Sequence, residues 1–428
     1  MSEFSLCNTC HKVDACALAG AAAFALGVNK TKVLINGPLW CYFYAMRYLE
    51  QSVPDLSEQI YNSQPDNYAI VYGTEKYILE ALTKIKEQED DMEMLFIENS
   101  CSLSLIGDDV SSIAKKIFPS LPVVVMDSGG TRGGFSEGYV LACLKVLDSI
   151  EFDKQDVHEK TINLIGATPF YFNGMSDLEE IKRILKLCGY KINVVLGYDC
   201  NIDAIKKLPD AALNIVLNTE LGLPVAEYLQ KKFQTPFLCA GIPYGVNGTK
   251  RWLNRIKKIV PCDDSKFLDE ADRTNRFILA KNNEMNSIWG RLWFDNVVVS
   301  APDTVAVNIA HALRSEWLDT DYLMVITKNK IDSCYYDSEY IDKVLFYSTD
   351  NSNVEKELSN IKKGLILASS SESIIAARNK NLYSCNISYP VKDELLLIDV
   401  PFCGLNGSRH MIQRLWNIFI NSKKCETI

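Results

Sequence analysis

The strongest constraint on this chain is a rhythm that persists over its 428 residues. Short runs dense in Val, Ile and Leu recur at Lys32–Ile35, Tyr68–Val71, Met94–Glu98, Pro122–Met126, Thr161–Ile165, Lys191–Leu196, Leu213–Leu217, Asn296–Ser300, Leu323–Thr327, Gly364–Ala368 and Glu394–Asp399. Such runs are apolar on consecutive residues, the pattern of strands buried on both faces, which in practice means parallel sheets covered by helices. The stretches between them carry apolar residues at helical spacing, such as Ile106, Val110, Ile113 and Ile117, or Leu178, Ile181, Ile184 and Leu185. Repeated β-α units predict an α/β protein of doubly wound, Rossmann-like parallel sheets. Right-handed crossovers then bring the functional loops to the carboxyl edge of each sheet.

Length sets how many sheets to expect. At roughly 150 residues per domain, three domains fit the chain. A polar break at Asp153–Lys160 and a long helical pattern from Ser265 to Ile288 place the boundaries. The expected division is three consecutive α/β domains over residues 1–158, 159–291 and 292–428, the first bearing the candidate ligands and the last a C-terminal glycine turn. Each module is too small for a full enzyme site, so the site is expected between modules.

Composition removes several function classes. With 45 Lys and Arg against 54 Asp and Glu, the net charge of −9 has the wrong sign for a nucleic-acid binder. The first residues are polar, without a secretory pattern, and the most apolar stretch, Ala15 to Val28, is too short to span a bilayer. The chain therefore reads as cytoplasmic, without membrane partners. Fourteen cysteines in a reducing compartment do not form a disulfide framework, which leaves metal ligation as a use for some of them.

Three cysteines fall where the sheet pattern puts ligands. Cys16 precedes Ala17-Leu18-Ala19-Gly20-Ala21, Cys41 follows the strand and turn Val33 to Pro38, and Cys101 follows the strand Leu95 to Ser100. All three belong at the mouth of the first sheet. Cys41 and Cys101 each precede a helical pattern, and a helix N-terminus stabilises the thiolate that binds iron. Any one of them alone reads as a small buried hydrophobe. Three together, with a fourth ligand from elsewhere, are the donor set of an iron–sulfur cluster, [4Fe–4S] or larger.

The segments Cys16-Ala-Leu-Ala-Gly-Ala, Leu34-Ile-Asn-Gly-Pro-Leu-Trp-Cys41, Tyr72-Gly-Thr-Glu-Lys76 and Cys101-Ser-Leu-Ser-Leu-Ile-Gly-Asp-Asp109 resemble the N-terminal domain of nitrogenase component 1 proteins. Asn163-Leu-Ile-Gly166, the stretch from Asp177 to Gly189, Ala212 to Leu217 and Gly222 to Leu229 resemble the second domain, and Pro401-Phe-Cys-Gly-Leu-Asn-Gly407 the C-terminal glycine turn. The resemblance spans nearly the whole chain and is weakest between Pro261 and Asp350. It implies that Cys16, Cys41 and Cys101 are the cluster ligands. It also implies that the chain pairs with an identical or paralogous subunit and takes electrons from an ATP-dependent iron–sulfur reductase protein. Asp108 and Asp109 are read as helix caps.

Two departures from the family narrow the activity. Aligning Ala212 to Glu220 puts Asn218 where nitrogenase has the cysteine of its catalytic cofactor, and an amide is a poor ligand for a soft cluster. Cys403 takes the position of the cofactor histidine, either as anchor of a second, unidentified cofactor or as a small buried side chain beside the glycine turn. Cys7-Asn-Thr-Cys10-His11 has the form of a haem-attachment motif, but such attachment belongs to exported proteins. Cys7 and Cys10 are instead read as a source of the fourth cluster ligand, a separate metal clip, or an unligated N-terminal pair. His410 is the candidate for proton transfer, His311 being read as a packing residue. The string Asp127-Ser-Gly-Gly-Thr-Arg-Gly-Gly-Phe135 lacks the Lys of a P-loop and is read as a turn at a strand end, without a nucleotide.

These observations define an expected function: a nitrogenase-like oxidoreductase subunit that reduces an unidentified substrate other than dinitrogen. The competing expectation is a non-catalytic scaffold for assembly of a nitrogenase-type cofactor, with Cys403 as transient anchor. A third is a redox partner or regulator that keeps only the fold.

Overall fold

A computed structural model describes residues 15–426 apart from 54, 67 and 331–337. Cys7, Cys10 and His11 lie outside the described residues. Three parallel sheets form, with strand orders β2-β1-β3-β4, β6-β5-β7-β8 and β11-β10-β9-β12-β13. The chain divides into two compact units, one running to Phe170 and resuming over Lys191–Leu238, the other comprising Tyr171–Tyr190 and Cys239 onward.

The first unit opens with helix α1 (Ala17–Leu26), which feeds β1 (Thr31–Asn36), then α2 (Leu39–Leu49), β2 (Ile60–Asn62), α3 (Ala69–Tyr72), α4 (Glu75–Gln88), β3 (Met94–Asn99), α5 (Val110–Ile117), β4 (Val123–Asp127) and α6 (Phe135–Ser149). The central strands earn their positions by composition: Val33, Leu34 and Ile35 of β1 and Leu95, Phe96 and Ile97 of β3 are completely buried. On one face Ile78, Leu82 and Ile85 of α4 and Val110 and Ala114 of α5 pack over Leu34, Leu95 and Ile97. On the other face α1 lies against α6, so closely that a Cβ on Gly20 or Gly138 would stand within 2 Å of a backbone oxygen. The second sheet of this unit contains β5 (His158–Ile165), β6 (Lys191–Val195), β7 (Ala211–Val216) and β8 (Phe237–Cys239), with α8 (Ile202–Lys206) and α9 (Thr219–Phe233); α7 (Gly174–Leu187) belongs to the other unit.

The second unit continues with α10 (Val246–Lys257), α11 (Ser265–Trp289), β9 (Trp293–Ser300), α12 (Asp303–Ala312), β10 (Asp319–Thr327), β11 (Lys343–Phe346), α13 (Tyr347–Asn360), β12 (Gly364–Ala368), α14 (Ser370–Ala377), β13 (Leu382–Asn386) and α15 (Gly404–Glu426). Val298, Met324, Ile326 and Ile366 form the centre of its core under α13. Among the described residues no helix is long and apolar enough to cross a membrane.

Two expected strands are absent. Tyr68–Val71 falls at the short helix α3, where Asp66 accepts the N–H groups of Tyr68 and Ala69 and starts a turn instead. Glu394–Asp399 takes no regular structure, and Leu395, Leu397 and Ile398 are 78, 84 and 78 % exposed. Four strands escaped the sequence reading: β2, β8, β11 and β13 are short, and all four are edges with one neighbour each, so little apolar sequence is needed to hold them.

Candidate functional site

The candidate ligands arrive at one rim from three turns. Cys16 occupies the N-cap position of α1, whose C-terminus feeds β1, so its N-terminus lies at the carboxyl edge of the sheet. Its backbone forms an isolated antiparallel bridge with Gly134. Cys41 lies in the first turn of α2, where Pro38 at the N-cap fixes the entry and the Cys41 N–H donates to the Pro38 carbonyl at 3.0 Å. Cys101 follows β3 in a 3-10 turn held by Ser104, whose N–H donates to the Ser100 carbonyl at 2.9 Å and whose hydroxyl donates to the Cys101 carbonyl at 3.0 Å.

The structure brings these three residues together. The Cys41 thiol is pushed above its ordinary pKa by burial first, and then by the charges of Cys16 and Cys101 beside it. Glycines make the approach possible. A Cβ on Gly129 would stand 2.5 Å from the Cys101 nitrogen and 2.6 Å from its sulfur, and one on Gly130 would touch the Cys16 Cβ at 3.5 Å and the Cys101 sulfur at 3.9 Å. The glycine-rich string therefore runs between Cys16 and Cys101, a cradle that larger residues would fill. Gly37, in the turn before Cys41, lies against the residue before Cys101: a Cβ there would collide with Ser100 at 2.8 Å.

Below the thiols, polar side chains tie the strand ends into one rim. Ser63 donates to Asn36 (2.8 Å), Asn36 to Asn99 (2.9 Å) and Asn99 to Asp127 (3.1 Å), a ladder that crosses all four strand ends of the sheet. Glu98 lies in the same layer, completely buried. Ser128 donates to its Oε2 at 2.5 Å, while its Oε1 has no partner among the described residues. Burial pushes the carboxyl up to about 8, outweighing the Ser128 hydrogen bond, so Glu98 is neutral at pH 7.

Outward from the thiols the surface is apolar. Trp40 and Tyr44 stack at 6.1 Å with Phe43 edge-on to both, Trp40 is 67 % exposed, and Leu105, four residues beyond Cys101, is 87 % exposed. Asp109 caps α5 by accepting the Ser112 N–H at 3.0 Å, and Asp108 holds Thr74 at the start of α4, so both serve helix ends.

No three His, Cys, Asp or Glu side chains among the described residues converge on a single point as ligands of one ion. The donor set instead suits a cluster of several metal atoms, each taking one thiolate. A soft, partly accessible trio over a glycine cradle fits such a group.

The second unit holds the other sequence candidates, and the structure gives them different surroundings. Cys403 is completely buried. Its thiol donates to the Asp177 carbonyl oxygen at 3.3 Å, and burial pushes it far above the ordinary thiol range. Around it α7 closes the start of α15. Asp177 Oδ1 accepts the N–H groups of Phe402 (2.6 Å) and Cys403 (2.9 Å), and Glu180 Oε1 accepts those of Leu405 and Asn406, both at 3.1 Å. The orphan donors of that helix end, where an anion would otherwise bind, are thus consumed by the chain's own carboxylates. Burial raises Asp177 to about 7 against those two hydrogen bonds. His410 is half-buried, lies 3.1 Å through Nδ1 from the Pro401 carbonyl, and is lowered by burial, so its imidazole is neutral with Nε2 as the other ring nitrogen. His311 packs on the Tyr340 ring at 4.4 Å.

Asn218, in the first unit, is buried and donates to the Gly166 carbonyl at 2.8 Å. Gly166 has φ +74° and its Cα side is filled by Asn218 and Gly222 backbone, so the amide holds the turn at the end of β5.

Sequence reasoning missed Glu98 and the amide ladder. The available signal was polar residues closing an otherwise apolar strand: Glu98-Asn99-Ser100 after Leu95-Phe96-Ile97.

Three parallel sheets of one winding pattern, the first with thiols gathered at its carboxyl rim, define a multi-sheet α/β oxidoreductase fold. The chain belongs to the nitrogenase component 1 type oxidoreductase family, whose model matches residues 16–420. Among its relatives is a light-independent protochlorophyllide reductase subunit from Leptolyngbya boryana, 22% identical over 424 residues, with 94% of this chain and 81% of the relative covered. The subunit of the same name from Zygnema circumcarinatum is 24% identical over 431 residues with the same coverage. The solved structure of nitrogenase Cp1 at pH 6.5 superposes with a TM-score of 0.78 at 16% identity, covering 96% of this chain and 93% of that one.

Proposed function

We propose that the chain is the substrate-reducing subunit of a nitrogenase-like reductase. Cys16, Cys41 and Cys101 would hold an iron–sulfur cluster, [4Fe–4S] or larger, and the observation that carries this reading is the nearness of Cys41 to both other cysteines, with Cys16 and Cys101 meeting over Gly130. When bound, such a cluster supplies a store for one electron at a time at low potential. The chain's own residues supply the setting. Glu98 adds no negative charge beneath the thiols at pH 7, and the Ser63–Asn36–Asn99–Asp127 ladder fixes the rim to which two of the three turns are attached.

The electron donor in this reading is a separate ATP-hydrolysing iron–sulfur protein. Exposed Leu105 beside Cys101 offers it an apolar contact next to a candidate ligand. Three thiols leave a cubane one ligand short, so an identical or paralogous subunit completes it, unless Cys7 or Cys10 does. Relatives named as reductases of protochlorophyllide favour an organic substrate over dinitrogen. Asn218 agrees, since its amide is engaged with Gly166 and offers no soft ligand. The scaffold reading is not favoured, because its anchor, Cys403, is sealed and bonded to Asp177. His410, neutral and half-buried, is the candidate proton carrier. A reducing, cytoplasmic setting, which keeps thiols available as ligands, belongs to the same reading.

The test is anaerobic purification with iron and acid-labile sulfide analysis and electron paramagnetic resonance of the reduced protein. Cys16→Ala, Cys41→Ala and Cys101→Ala are each expected to remove the cluster while preserving the fold by circular dichroism. Iron-free wild-type protein from a host competent in cluster assembly would overturn the reading.

A further inference from the structure

Two thiols of the second unit have no part in the sites described above. Cys188 closes α7, where its N–H donates to the Ile184 and Leu185 carbonyls at 3.2 and 3.1 Å. Gly189, at φ +80°, then turns the chain back so that the Tyr190 N–H also donates to the Leu185 carbonyl, at 3.1 Å. The buried Tyr190 reaches from there to the segment just past α10, and its hydroxyl donates to the Val260 carbonyl at 2.6 Å. Cys262 stands two residues beyond that carbonyl, in the turn that joins α10 to α11. The turn is held at its other end as well: Lys257 pairs with Asp264 at 2.5 Å, and Asp263 accepts the Ser265 N–H at 3.0 Å.

This tether brings two sulfurs together. The Cys262 thiol lies within hydrogen-bond reach of both the Cys188 thiol and the Tyr190 hydroxyl. The two cysteines differ in access. Cys188 is 2 % exposed, whereas Cys262 is partly open to solvent. Burial first, then Cys262 and Asp264, pushes the Cys188 thiol up to about 12, so it stays protonated and is not the first of the two to react. Both are free thiols, and among the described residues no third His, Cys, Asp or Glu converges with them, so the pair lacks the donors of a closed metal site.

We propose that Cys188 and Cys262 form a reversible disulfide, a redox modification site that fastens the end of α7 to the α10–α11 turn. The oxidant is a small-molecule disulfide. Cys262, as thiolate, attacks one sulfur of that molecule; its S–S bond breaks, and the departing thiolate takes up the proton that Cys262 released. Cys188 then attacks the Cys262 sulfur of the mixed disulfide, and its own proton leaves with the second small thiol. Two protein thiols are thereby oxidised and one small disulfide is reduced to two thiols. Sulfurs already within reach need little backbone movement to bond, and closing the long loop from 188 to 262 restricts the unfolded chain. Asp263 and Asp264 flank the entry, so a neutral disulfide is admitted more readily than an anionic one. No candidate cluster ligand takes part, and the modification stands whether or not the chain carries a cluster.

The probe is bis(2-hydroxyethyl) disulfide, which is neutral, added to the folded full-length protein. After the remaining thiols are alkylated and the chain is cut with trypsin without reductant, residues 187–191 and 259–266 are expected as one linked pair, absent from untreated reduced protein and lost again in excess dithiothreitol. Mapping the linked peptides separates this bond from any formed among Cys16, Cys41 and Cys101. Cys188→Ser should stop at the first stage and keep one hydroxyethylthio group on Cys262, whereas Cys262→Ser should leave Cys188 unmodified while circular dichroism shows native protein. Amide hydrogen exchange over residues 259–266 should slow in the oxidised protein. The wild-type digest needs no variant: absence of the linked pair, or its appearance only after urea is added, would overturn the proposal. So would labelling of Cys188 ahead of Cys262, or equal exchange of the turn in the two redox states.

Discussion

Replacing Glu98 by Gln should change how stability depends on pH, in a direction and amount that its surroundings set. The carboxyl titrates near 8 in the fold, against an ordinary value of 4.5, because it is wholly buried and only Ser128 donates to it. An unfolded chain releases this proton above pH 4.5, whereas the folded chain keeps it up to about 8, so the unfolded state holds fewer protons in between. The contribution of Glu98 to stability is therefore fully present below pH 4.5 and is lost as pH rises through 8. Each pH unit in that window costs about 1.4 kcal/mol, or about 4 kcal/mol from pH 5 to 8. Glu98→Gln keeps the shape and an acceptor for Ser128 but cannot ionise. Urea unfolding at pH 5, 6, 7 and 8, with m held common, should give a wild-type minus variant difference that falls steadily with pH, leaving the variant the more stable protein at pH 8. A difference that stays flat across that range would refute the argument, because it would mean that Glu98 reaches solvent or a cation in the fold.

Gly129→Ala drives a methyl into Cys101 and should lower bound iron per chain while costing about 1–3 kcal/mol of stability, measured by metal analysis beside thermal unfolding. Cys403→Ser should cost about 1–3 kcal/mol, since a buried hydroxyl replaces the thiol, and leave the cluster spectrum unchanged; loss of that spectrum in folded protein would contradict a purely structural role. Asp177→Ala strips the acceptor from two buried N–H groups and should destabilise by about 2–4 kcal/mol in urea, far more than loss of an exposed cap in Asn201→Ala. Reconstituted with a reductase partner under dinitrogen, the protein should form no ammonia above background.

The sheets were legible because their central strands carry apolar residues in succession, such as Val33-Leu34-Ile35 and Leu95-Phe96-Ile97, a pattern with few other uses. Where that pattern misleads is instructive. Leu395 to Ile398 satisfies it fully and forms no strand, since an apolar run records what a segment would need around it and not that the fold provides it. β13, Leu-Tyr-Ser-Cys-Asn, fails the pattern and is a strand, because an edge needs cover on fewer sides. The candidate thiols stood out by position, Cys41 and Cys101 each after a strand of the first sheet and Cys16 at the start of the helix that feeds β1. The surroundings of Cys403 could not, because they depend on Asp177, more than two hundred residues earlier in the chain. Glu98 was hidden for a related reason: its neutrality comes from what covers it in space, on which neighbouring sequence is silent.

The grip of α7 on the start of α15 joins residues 225 apart in the chain, the separation of Asp177 from Phe402. During synthesis at roughly 5–20 residues per second, α7 emerges about 10–45 s before the segment that Asp177 and Glu180 must hold. Until then Asp177 lacks the N–H groups of Phe402 and Cys403, and Glu180 has Arg183 of its own helix but not the N–H groups of Leu405 and Asn406. The second unit is consequently closed by its last helix, and a ribosome that stops short of Phe402 releases a chain in which α7 has lost its partner. Truncation at the C-terminus should therefore be felt by a segment encoded near the middle of the gene.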